Sequence, residues 1–170
     1  MTLADTIALY STPLLDSSVG AVLARFQQDA PVNVIGFANA LGLNVWELQL
    51  PPNISGKIWK DSQNGGKSGF SIGVNASEAY VRKRFTVAHE CAHFMLHRNR
   101  ITNELVEDTM YRGLGGREEA QANKLAADIL MPYHLIQKIM DSGTTDVDEL
   151  AVKLQVSGAA MRIRLGIPVT

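Results

Sequence analysis

The sequence predicts an α+β fold, a small antiparallel sheet packed beside a helical bundle. Three observations lead there. Apolar residues recur at helical spacing in several separate segments, two short strand-like runs flank a glycine-rich turn, and the hydrophobic content of 46% in 170 residues suits one core. Strands that cluster in one stretch, with helices before and after, point to segregated α and β layers.

The elements follow in chain order. The first 15 residues are ambiguous, with Pro13 ending any early helix. From Asp16, a candidate N-cap, Val19, Val22, Leu23 and Phe26 make one apolar stripe, and Pro31 breaks that helix. A short helix is expected from Val32 to Leu41, with Ile35, Ala38 and Leu41 inward and Gly42 as its stop. Leu43, Val45 and Leu48 carry strand character, as do Lys57 to Lys60 and Gly69 to Val74, the last with Phe70, Ile72 and Val74 on one face. Asn64-Gly65-Gly66 reads as the hairpin connection; it lacks the Gly-Lys-Ser/Thr ending of a phosphate cradle. Asn75 with Glu78 three residues later resembles a capping box that opens a long helix to about His97. Residues 98 to 116 form a polar connection, and a strong helix runs from about Arg117 to Met131, before Pro132. Two short helices, Asp146 to Leu154 and Gly158 to Leu165, close the chain. The organisation expected is a helical extension over 1–30, a main unit over 31–135, and short C-terminal helices over 136–170 that belong to the same compact body.

Composition excludes several classes. A formal net charge of -1 provides no basic field for nucleic acid, and the local runs at Arg82-Lys83-Arg84 and Arg98 to Arg100 read as solvated helix turns. One cysteine rules out an internal disulfide framework and fits a reducing compartment. The first ten residues lack a basic n-region, Asp5 interrupts any apolar stretch, and no run reaches membrane-spanning length; the expected location is the cytoplasm.

His89-Glu90-Cys91-Ala92-His93 carries the chemistry. Histidines four apart lie one above the other on a helix, so two imidazoles can meet one tetrahedral zinc ion without bending the backbone. Glu90 is rotated about 100° from His89, bordering the metal without ligating it, where it can accept a proton from an attacking water. The residues around the motif, Arg84 to Ala88 and Phe94 to His97, extend the same helix. His97 continues the histidine face but stands about 12 Å along the axis from His89, too far to share one ion; it reads as a polar end favourable at a helix C-terminus. Cys91 lies about 200° from His89 and reads as a buried structural thiol.

An open catalytic site needs a third protein ligand. The acidic candidates downstream are Glu104, Glu107, Asp108, Glu118, Glu119 and Asp128. Glu119 shares a helix face with Asn123, giving a carboxylate plus an amide able to orient a ligating histidine, although an acidic first helical turn favouring the dipole would look the same. Ala122, Ala126 and Ile129 form another face, small enough at the alanines for close helix approach.

These residues resemble the ImmA/IrrE family of zinc metallopeptidases. The resemblance covers about residues 31 to 165. It rests on Ala40-Leu41-Gly42, Ser55-Gly56-Lys57-Ile58, Ile72-Gly73-Val74-Asn75, Arg84 through His93, and Glu119 through Pro132, with Cys91-Ala92 standing where the family usually has Leu-Gly. It implies a zincin-like fold, Zn2+ held by His89, His93 and Glu119, and Glu90 as catalytic base. The implied activity is a metalloendopeptidase that cleaves a helix-turn-helix transcriptional repressor and so relieves repression. An oxyanion donor is expected among Tyr80, Tyr111, Arg112 and His134, and the strand at Phe70 to Val74 is expected to pair with an extended substrate. The rival readings are a metal-stabilised module that sequesters a repressor, in the manner of a toxin–antitoxin component, and, more weakly, a DNA-binding regulator. Arg162 and Arg164 are too few to support the last.

Overall fold

A computed structural model describes residues 17–101 and 116–169. The expected cap at Asp16 and the acidic candidates Glu104, Glu107 and Asp108 lie outside them, as do Tyr111 and Arg112. In chain order the elements are α1 (Ser17–Phe26), α2 (Val34–Ala40), β1 (Leu43–Leu48), β2 (Gly56–Lys60), β3 (Phe70–Asn75) and α3 (Tyr80–His97). A 3-10 turn at Arg98–Arg100 follows, and then α4 (Gly116–Leu130), α5 (Tyr133–Asp141), α6 (Val147–Leu154) and α7 (Gly158–Arg164).

The fold class is α+β, as the sequence predicts, but the sheet is mixed. Its order is β1-β3-β2, with β2 antiparallel to β3 across the hairpin and β1 parallel to β3, Leu43 opposite Phe70 and Leu48 opposite Asn75. β3 is therefore the central strand, and all six of its residues are buried. Phe70, Ile72 and Val74 alternate along it with Ser71, Gly73 and Asn75, and both sets are covered. Gly73 lies close under neighbouring side chains: a Cβ there would stand 2.4 Å from Leu48 Cδ1, so that side chain would have to move.

Several boundaries differ from expectation for local reasons. α2 starts at Val34 because Asn33 caps it, Oδ1 accepting from Gly36 N–H at 2.9 Å. That register turns Val34, Phe37 and Ala38 inward and leaves Ile35 44% exposed, contrary to the expected face. Gly42 ends the helix with φ +87, in the left-handed region that glycine adopts without strain.

The capping box at Asn75 and Glu78 does not form. Ala79 occupies the N-cap of α3 with no side-chain hydrogen bond. Asn75 instead closes β3, donating through Nδ2 to the carbonyls of Leu50, Pro51 and Ile54, while Glu78 accepts from the Ser55 hydroxyl. Both residues thus pin the 50–55 segment against the start of α3. α5 was not expected; Pro132 stands at its N-cap and so opens a helix as well as closing α4.

The two long helices, α3 and α4, pack on each other, and Ala88 and Ala92 of the first and Ala122 and Ala126 of the second are each fully buried. One buried cluster runs from Leu23 of α1 through Ile72 and Leu125 to Leu154 and Met161 of the last helices. Each fully buried leucine there contributes about 1.5–3 kcal/mol of transfer free energy. Among the described residues no helix is long and apolar enough to cross a membrane.

Candidate metal centre

α3 and α4 bring His89, His93 and Glu119 together. One ligand atom from each lies within 4.8 Å of the others. The two Nε2 atoms are 3.0 Å apart, His89 Nε2 is 3.2 Å from Glu119 Oε2, and His93 Nε2 is 3.1 Å from Glu119 Oε1. The i, i+4 spacing places both rings on one face of α3, and the packing of α4 on α3 brings Glu119 within reach of them. His93 is fully buried, and Glu90, one residue after His89, is 1% exposed on the same cleft.

The electrostatics are those of a site built for positive charge. Burial pushes the Glu119 carboxyl up, but hydrogen bonds and charge from His89 and His93 outweigh it, and its net pKa falls well below the usual carboxylate range. For His89, burial lowers the pKa while the Glu119 and Glu90 carboxylates raise it further, so the net direction is up. Two imidazoles and a carboxylate with one side open to a cleft suit a zinc ion that keeps a position for water or substrate. Asn123 Oδ1 is 2.9 Å from His89 Nδ1, the amide partner expected from its place one turn after Glu119.

Other expected residues fall in different places. His97 is no member of the donor cluster, in line with its distance along the helix, but it is not a charged end of α3. Burial lowers its pKa, and its ring is engaged on both sides, Nδ1 3.0 Å from His93 Nδ1 and Nε2 3.1 Å from Gln121 Oε1. Glu118 pairs with Arg100, and Asp128 with Arg164, so neither points at the donors. Cys91 is buried in the core, and burial pushes its thiol pKa up.

The cleft beside the donors has a volume of about 940 Å³. One wall is the segment Asn53 to Gly56 leading into β2, which Asn75 and Glu78 hold in place. Val156, Ala160 and Ile163 of the C-terminal region also line the cleft. β3, central and bonded on both sides, cannot serve as the substrate-pairing edge; on the cleft side that position falls to the beginning of β2. Of the expected oxyanion donors within the described residues, neither Tyr80 nor His134 lines the cleft; His134 bonds the Gln27 carbonyl at 2.7 Å. Tyr133 and Arg164 line it instead. The signal for Tyr133 was its place directly after Pro132, in the first turn of α5.

Arg164 fastens α7 to the donor helix. Its Nη1 lies 2.6 Å from Asp128 Oδ1, its Nε donates to the Met131 carbonyl, and its guanidinium stacks over the Tyr133 ring. Arg162 makes a two-pronged pair with Asp148. Both tail arginines are thus engaged within the fold.

A small sheet laid against a helix bearing His-Glu-x-x-His, with a second helix presenting a glutamate to it, defines a zincin-like protein. The chain belongs to the Peptidase_M78 family: the model of the IrrE N-terminal-like domain matches residues 38–166. That family is metal-dependent, and its members include repressor-cleaving metallopeptidases. Among solved structures, a Mycobacterium tuberculosis transcriptional regulator superposes with a TM-score of 0.57 at 14% identity, over 97% of this chain and 51% of that one. The likeness is one of fold, and this chain spans about half the length of that protein. No curated protein matches the sequence.

Proposed function

We propose that this chain is a zinc-dependent endopeptidase of the cytoplasm that cleaves a helix-turn-helix transcriptional repressor, with His89, His93 and Glu119 as ligands and Glu90 as catalytic base. The observation that carries the reading is the convergence of three ligand atoms from two helices within 4.8 Å, with Glu90 on the same cleft. The substrate class comes from the family, whose members include repressor-cleaving enzymes. The catalytic unit is taken as residues 31–135, with 1–30 as an extension and 136–170 as part of the same compact body; the buried cluster that reaches Leu154 and Met161, and the part α7 plays in the cleft, support the last of these.

Zinc, when bound, supplies a Lewis acid that polarises the scissile carbonyl and acidifies water. The chain's own residues do the rest. Glu90 takes a proton at its carboxylate from the attacking water and passes it to the leaving amine. The backbone from Asn53 to Gly56 is the edge along which an extended substrate can pair, and Phe85, Met131 and Val156 exclude water around it. Direct DNA binding forms no part of the reading, since Arg162 and Arg164 are occupied by Asp148 and Asp128.

Incubating the protein with a candidate repressor, with and without a chelator, tests the reading: fragments are expected only without the chelator. A repressor that is bound but left intact by the zinc-loaded protein would favour the sequestering module. The ligand assignment has its own test. Glu119→Ala is expected to weaken zinc binding by at least about tenfold while Glu118→Ala stays near wild type, read by competition with a chromophoric chelator. The reverse order of sensitivity would move the third ligand to Glu118.

A further inference from the structure

The ring of His97 lies between a proposed zinc ligand and an amide, and the direction of each hydrogen bond in that row can be worked out. The Gln121 side-chain oxygen can only accept, so the 3.1 Å contact places a proton on His97 Nε2. In the tautomer that donates to Gln121, His97 presents the lone pair of Nδ1 to its other neighbour. The atom 3.0 Å away is His93 Nδ1, which must be the donor. With its proton on Nδ1, His93 has its Nε2 lone pair directed at the point shared with His89 Nε2, at 3.0 Å, and Glu119 Oε1, at 3.1 Å. His89 reaches the same tautomer by a shorter route, its Nδ1 lying 2.9 Å from Asn123 Oδ1.

We propose that His97, backed by Gln121, is a positioning residue that fixes the tautomer and ring orientation of His93 for metal binding. The inference rests on the reading of His89, His93 and Glu119 as ligands. It gives α4 a double part: it supplies the carboxylate, and it supplies the amide behind each histidine, Asn123 directly and Gln121 through His97. The intermediary follows from place. His93 stands one turn deeper than His89 and is fully buried, so its Nδ1 faces protein, and a neighbouring ring one turn on is what lies within reach. A second imidazole is neither a ligand here, being outside the donor cluster, nor a packing residue alone, since both of its nitrogens are engaged. Partners of this kind behind a ligating histidine commonly account for 10–100-fold in metal affinity, by fixing the ring and raising ligand basicity.

The test compares two substitutions in the full chain. His97→Leu fills the space and removes the acceptor. His97→Asn places a side-chain oxygen where Nδ1 stood and can still accept from His93. Zinc affinity is measured by chelator competition, and the cobalt-substituted proteins are compared by their visible absorption. The expected result is a zinc affinity about 10–100-fold weaker in His97→Leu, with a changed cobalt spectrum, and recovery of most of both in His97→Asn. Equal loss in the two variants would make His97 a packing residue and overturn the proposal. So would unchanged affinity in His97→Leu alongside loss of metal in His93→Ala. Retention of metal by His93→Ala would instead overturn the ligand assignment beneath it. Nitrogen-15 spectra of the zinc-loaded wild type give a reading independent of any variant: His93 is expected to be protonated at Nδ1, and a proton at Nε2 would overturn the proposal.

Discussion

Glu90→Gln is expected to fold, to carry a full complement of zinc and to lose cleavage by about 10²-fold or more. The amide has the shape of the carboxylate but cannot accept a proton, and Glu90 is proposed as base and not as ligand. Its side chain is 1% exposed on the wall of the cleft, so an isosteric change disturbs little packing. Repressor binding should survive, because the cleft walls at Asn53 to Gly56 and at α7 are untouched. The measurement is a cleavage time course on the same preparation used for elemental analysis and a pull-down. A zinc-loaded Glu90→Gln protein that cleaves at the wild-type rate would remove Glu90 from the mechanism.

The second large effect concerns the metal itself. Wild-type protein should hold about one zinc per chain, and His93→Ala should hold almost none, since a three-ligand site reduced to His89 and Glu119 loses its geometry. Binding to the folded state alone stabilises it by RT ln(1 + [Zn]/Kd), about 4 kcal/mol at a thousandfold excess over Kd. The melting temperature of wild type should therefore rise with added zinc, and that of His93→Ala should not. His89→Ala should behave alike. Full zinc content in either variant would rule out this donor set.

The donors were legible to different degrees. His89 and His93 are four residues apart on one helix, so their convergence follows from helix geometry alone. Glu119 is 26 residues beyond His93; a face shared with Asn123 made it a candidate, and the family resemblance made it the expected one. The arrangement of α3 and α4 now brings it to the histidines. Where pairing is decided far along the chain, local pattern failed. Nothing within Phe70 to Asn75 says that β1 joins it from the other side, so the central strand was read as an edge. The capping box at Asn75 was displaced by a loop 20-odd residues earlier whose carbonyls needed a donor. α5 was hidden because Pro132 was read as ending a helix when it also begins one. The cleft wall supplied by Val156, Ala160 and Ile163 had no local signature, since it depends on where α7 is fastened.

The single thiol, Cys91, sits two residues after His89 with no exposed surface, in the same packed layer that holds the donor helix. An alkylating reagent can reach it only when that layer opens, so its labelling rate under dilute reagent counts opening events. With zinc binding the closed form as proposed, each increment of occupancy should slow labelling in proportion to 1 + [Zn]/Kd. A mass spectrometer following one carbamidomethyl group would thus read how tightly the centre is loaded, with no peptide in the tube.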